Sequence, residues 1–170
     1  LTDQQVKNPV NGFNSTNAML NHWQGHRKLT RQVIEAFPED KLFNYSIGGM
    51  RNFALMAKEL ISIADAGIQD LFQNNPTPIA NLGHKSGRSL GCTKEDILSL
   101  WDDVTYKIDT LWPMIPQQRF HETMKAFGEY EGITSDIILY WIDNEIHHRG
   151  QGYVYLRSLG IEPPAFWDRY

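Results

Sequence analysis

Apolar residues recur at helical spacing in four long stretches of this 170-residue chain. The first follows the capping side chains Asn14, Ser15 and Thr16 and runs to about Phe37, where Pro38 closes it. Met19, Trp23, Val33 and Phe37 fall on its inward side, and Arg27, Lys28, Arg31 and Glu35 on its outward side. The second reads from about Met50 to Phe72, entered through Gly48-Gly49, with Phe53, Met56, Leu60, Ile63, Ile68 and Leu71 on a broad apolar face. Thr93 with Asp96 forms a capping arrangement that opens the third. There Ile97, Trp101, Val104, Ile108 and Leu111 repeat at four, three, four and three, until Pro113 and Pro116 end the run. The fourth starts at Thr134-Ser135-Asp136 and stops at Gly160 and Pro163-Pro164. Its seam is Ile137, Trp141, Asn144, His148, Gln151, Tyr155 and Leu159.

The connections complete the picture. Residues 74–92 are rich in Asn, Pro, Gly and Ser and show no periodicity. A loop that long is uncommon in a compact domain, and antiparallel neighbours would need far less, so it predicts a crossover to a non-adjacent position. Phe120, Met124 and Phe127 predict a short extra helix before a Gly128–Gly132 turn, and no stretch reads as a strand. Residues 1–13 are polar, contain Pro9 and Gly12, and predict an arm. The expectation is one all-α domain over residues 1–170, a four-helix bundle with a long crossover between its second and third helices.

Composition narrows the function classes. Net charge is −4 with scattered basic residues, which argues against a nucleic-acid partner. No apolar run approaches the ~20 residues a membrane span needs. The polar start lacks a signal-peptide pattern, so a cytoplasmic location is expected. A single cysteine, Cys92, excludes an internal disulfide framework and a thiolate cluster, and no nearby His activates it.

The chemistry lies where the fourth seam turns polar. Asn144 and His148 sit one turn apart in a stripe that begins and ends apolar. Each unsatisfied group there would cost about 1–3 kcal/mol, so each should have a partner. Glu59 interrupts the margin of the second stripe; it either snorkels to water or aims into the bundle. Glu59, Asn144 and His148 could hold a divalent cation whose bound water becomes a nucleophile at neutral pH. They could equally bond to one another with no metal. His22 and His26 form an i, i+4 pair able to chelate a metal, or simply flank Trp23. Arg149 pairs with a carboxylate, lines a pocket mouth or makes a surface-edge salt bridge, and Trp141 and Tyr155 serve as pocket walls or core. His121 reads as a surface residue, and His147, one position from His148, points about 100° away.

Three segments carry a family resemblance: Gly49-Met50-Arg51-Asn52-Phe53, Asn144-Glu145-Ile146-His147-His148-Arg149-Gly150-Gln151, and Leu156-Arg157-Ser158-Leu159-Gly160-Ile161 with Pro163-Pro164. Together they resemble the DinB-like family of metal-binding bundles, over nearly the whole chain. The resemblance implies an up-down-down-up bundle, a homodimer, and a nickel- or zinc-type site held by three histidines. Two of those positions differ here, because Glu59 and Asn144 stand where the family places histidines and only His148 matches. Two functions follow. One is a metal-dependent hydrolase or low-molecular-weight thiol transferase acting on a small molecule, with zinc or nickel at Glu59, Asn144 and His148. The other is a metal-free bundle that binds a small molecule or serves as a stress-related interaction module. No Ser-His-Asp set, phosphate-cradling loop or dinucleotide fingerprint competes with them.

Overall fold

The computed structural model describes residues 15–170; the expected arm over residues 1–13 and the Asn14 cap lie outside them. Four long helices form the bundle: α1 (Thr16–Ala36), α3 (Phe53–Gln73), α4 (Lys94–Leu111) and α5 (Thr134–Ser158). A short α2 (Glu39–Asn44) lies in the first connection. Local chemistry sets the ends. The Ser15 side chain caps α1, Asn52 caps α3, and Thr93 with Asp96 makes a full capping box on α4. Capped by Asn52, α3 begins at Phe53, three residues inward from the Met50 that periodicity suggested. Ile133, which precedes α5, has no polar side chain to cap it, and the Thr134 hydroxyl donates to the Glu122 carbonyl. Gly160, at φ 76°, turns the chain out of α5 while the Ile161 amide returns to the Leu156 carbonyl.

Contacts between helices give their directions. Trp23 meets Trp141 and Thr30 meets Glu145, so α1 and α5 run in the same sense. Gln24 reaches Asp109 while Arg31 reaches Asp102, so α4 runs against α1. Phe53 abuts Gly152 and Gly67 abuts Trp141, so α3 runs against α5. It follows that α3 and α4 are parallel. They also pack directly together, with Asp65 bonded to Lys107. The loop after α3 therefore does not cross to a distant position, as its length suggested. It joins adjacent helices pointing the same way, and must return along a helix of 21 residues, about 31 Å, before α4 can begin.

Two more expectations are corrected. The segment around Phe120–Phe127 is a 3₁₀ turn (Gln117–His121) followed by an antiparallel hairpin, β1 (Thr123–Ala126) and β2 (Tyr130–Ile133). Phe127 and Gly128 both lie at positive φ (54° and 73°), which a helix does not allow and a tight hairpin turn requires. Arg27, expected on the outer side of α1, is wholly buried. It stacks on Trp101 at 4.1 Å, and donates to the Thr105 hydroxyl and the Trp101 carbonyl. Two of its three nitrogens are bonded, Nη1 has no partner, and its charge faces Glu145, which offsets part of the desolvation; Arg27 thus occupies a position that polarity alone assigns to water. Lys28 and Glu35 are exposed as expected.

The core runs through the bundle from Phe37, Phe53 and Tyr155 to Trp23, Trp101 and Trp112. Glycines let aromatic rings in: a Cβ at Gly67 would lie 2.7 Å from Trp141, and one at Gly152 would lie 2.6 Å from Phe53. Among the described residues no helix is long and apolar enough to cross a membrane.

Candidate functional site

The antiparallel pairing of α3 and α5 brings Glu59, Asn144 and His148 together. Glu59 Oε1 lies 3.3 Å from His148 Nε2 and accepts a long 3.4 Å bond from the Asn144 amide. Glu59 thus turns inward rather than to water. A fourth group completes the cluster. Arg51, on the segment entering α3, donates to Glu59 Oε2 at 2.5 Å, and its second terminal nitrogen stands 3.4 Å from His148 Nε2. On the far side of the imidazole, Gln151 Oε1 is 2.7 Å from Nδ1. The other ring nitrogen, Nε2, faces Glu59 and Arg51. The hydrogen bond to His148 and then the Arg51 guanidinium hold the Glu59 carboxyl down at about 2, against the opposing effect of burial.

This donor set does not fit a three-ligand divalent centre. No three His, Cys, Asp or Glu side chains are grouped to hold a metal ion among the described residues. The positive charge beside Glu59 and His148 comes from a guanidinium within hydrogen-bonding distance of both. His147 is exposed with its ring 5.0 Å from that of His148, so it does not stand in as a ligand. Sequence reading placed Glu59, Asn144 and His148 correctly side by side but assigned no role to Arg51. The available signal was an Arg immediately before a helix-capping Asn, two turns upstream of a Glu on an apolar margin.

The remaining polar residues of the α5 motif belong to a second, separate cluster against α1. Arg149 is neither at a pocket mouth nor at a surface edge; it is buried, donates to the His26 carbonyl and the Thr30 hydroxyl, and meets His26 Nδ1 at 2.9 Å. Glu145 is also buried and accepts from Thr30 at 2.7 Å. Burial raises its carboxyl, while the neighbouring Arg27 opposes that rise. His26 Nε2 lies 3.2 Å from His22 Nε2 and 3.1 Å from an Arg169 nitrogen. Burial, then Arg149, His22 and Arg169, push His26 down to about 3, so its ring is neutral. The two α1 histidines thus join Arg149 and Arg169 and not Glu59.

A cavity of about 600 Å³ opens beside the first cluster. Arg51, Glu59 and Asn144 reach its wall, whereas His148 and Gln151 stay behind them. Ile63, Phe127, Ile137 and Trp141 make it apolar. Two non-helical segments close it: the crossover loop after α3 and the β1–β2 hairpin, tied together by the bond from the Ile79 amide to the Phe127 carbonyl. Tyr155 packs in the core and does not line it. Cys92 is exposed at the start of α4 and does not line the cavity.

A four-helix bundle with a pocket between its helices and a histidine projecting from the last helix defines a broad class of small helical domains. The particular family follows from comparison. The DinB family model matches residues 13–169, and the chain belongs to the DinB family. A DinB-like protein from Bacillus subtilis superposes with a TM-score of 0.68 at 18% identity, covering 89% of this chain and 99% of that one. Another from Bacillus cereus gives a TM-score of 0.65 at 15% identity, covering 88% and 95%. At such identities these likenesses establish the fold. No curated protein matches the chain.

Proposed function

We propose that this DinB-family bundle binds a small organic molecule in the cavity beside Glu59 and does so without a divalent metal. The observation that carries this reading is Arg51, whose guanidinium stands 2.5 Å from Glu59 and 3.4 Å from His148. It supplies the positive charge that a half-buried carboxylate needs, and satisfies Glu59 with protein groups alone. Arg51, Glu59 and Asn144 then form a rigid polar floor under an apolar chamber, the usual design of a small-molecule site. His148 orients Glu59 from behind. Because it does not reach the cavity wall, the reading is one of binding rather than acid–base catalysis.

The alternative keeps a hydrolase or thiol transferase with zinc or nickel at Glu59, Asn144 and His148. Elemental analysis of protein purified without chelator and offered zinc and nickel separates the two. The expected result is no stoichiometric metal in the wild type, and metal uptake no higher than in His148→Ala. Stoichiometric metal in the wild type that disappears in His148→Ala would overturn the proposal in favour of the enzyme.

A further inference from the structure

The cavity is polarised along its length. The crossover loop runs back beside α3: Thr77 bonds to Asp70, and further on the His84 amide bonds to the Ser62 hydroxyl. His84 and Lys85 therefore sit at the Glu59 end of the chamber, where Arg51 also stands. The other end is built by β2 and the first turns of α5, which contribute Tyr130, Glu131, Asp136 and Tyr140. Along α5, Asp136 and Asn144 mark the two ends, eight residues or about 12 Å apart. Ser62 and Asp70 give the same about 12 Å along α3.

The charges at the two ends are opposite and available. Lys85, Glu131 and Asp136 are exposed, and none has an ion-pair partner among the described residues. Glu59 neutralises one nitrogen of Arg51, and the guanidinium remains partly exposed. Nδ1 of His84 is buried with no hydrogen-bond partner, an unmet group on the cavity wall at the same end. At the opposite end two exposed tyrosines stand beside the two carboxylates, and aromatic faces with acids attract organic ammonium groups. Between the ends Ile63, Phe127, Ile137 and Trp141 offer only apolar surface.

We infer that the cavity takes an extended dipolar molecule: an anionic group at Arg51, His84 and Lys85, an apolar middle, and an ammonium group at Glu131 and Asp136. This rests on the cavity reading above and names the chemistry of its occupant. The probe is 8-aminooctanoate, compared with octanoate and octylamine, which each keep the chain and one of the charges. Two-dimensional NMR titration, followed at the Trp141 indole and the Gly132 amide, reads both affinity and place. The expected result is 8-aminooctanoate binding at least about ten-fold more tightly than either control. Lys85→Glu should reduce it to the level of octylamine, and Glu131→Gln with Asp136→Asn to the level of octanoate. All three positions are exposed, so the variants should fold as the wild type does. Equal binding of a singly charged control, or indifference to the substitutions, would overturn the dipolar inference and leave the cavity reading standing. No shift at Trp141 or Gly132 with any of the three probes would overturn both.

Discussion

Acid should weaken this protein before its carboxylates titrate, and His26 is the reason. In the unfolded chain a histidine takes up its proton near pH 6.5, whereas in the fold His26 resists protonation down to about 3. Its ring is 3% exposed, with Arg149 at one nitrogen and Arg169 at the other. Between those two values the unfolded chain holds a proton that the folded chain lacks. The stabilisation from keeping His26 neutral is thus complete above pH 6.5 and is lost progressively as pH falls through the window. The slope is about 1.4 kcal/mol per pH unit, so at about pH 5 the loss is about 2 kcal/mol. Urea unfolding at about pH 7.5 and about pH 5 measures it, with an unchanged slope in denaturant showing that only stability has moved. Burial lowers His22 and His84 in the same direction, so the wild type should lose slightly more than His26 alone accounts for. The His26→Gln variant isolates the effect: it should lose about 2 kcal/mol less than the wild type over the same interval. If it loses as much as the wild type, the reasoning from the two flanking arginines is refuted.

Further outcomes are expected. Gly67→Ala and Gly152→Ala force a methyl against Trp141 and Phe53 and should each cost about 1–3 kcal/mol in urea unfolding. Gly150→Ala meets nothing within 4 Å and should stabilise α5 by about 0.5–1 kcal/mol. Thr93→Ala removes half of the α4 capping box and should lower stability by about 1 kcal/mol, read from the same unfolding curves. Arg27→Met leaves Glu145 buried without its main counter-charge and should cost about 3–5 kcal/mol. The double variant Arg27→Met with Glu145→Gln should cost clearly less than the two single losses added together.

The four long helices were legible because each carries a long apolar repeat at helical spacing with a capping side chain or a proline near its ends. Asn144, His148 and Glu59 were legible for the opposite reason, as polar interruptions of such repeats that needed partners. Arg51 was not, because it lies outside any helix and acts by reaching back along α3, a reach that periodicity does not encode. Arg27 and Glu145 were hidden differently. Each is a charge whose burial depends on a counter-charge more than 100 positions away, so nothing near either residue announces it. The hairpin was misread because its hydrophobic positions at 120, 124 and 127 also suit a helix. The deciding information lay in the backbone demanded by Phe127-Gly128. The parallel direction of α4 was implied by the family resemblance, whereas its place beside α3 escaped for want of contacts. A long loop allows either a distant neighbour or a parallel one, and only the packing of α3 on α4 chooses between them.

The tie between the Ile79 amide and the Phe127 carbonyl divides the molecule into two regimes of change. Rigid paired helices hold the floor of the chamber, and altering them disturbs the whole scaffold. Its roof is a loop and a hairpin linked to each other, free to lengthen, shorten or swap charges with little strain on what lies beneath. Within such an architecture the frame stays recognisable while the sequence changes, as the two Bacillus structures show by sharing this fold at 15–18% identity.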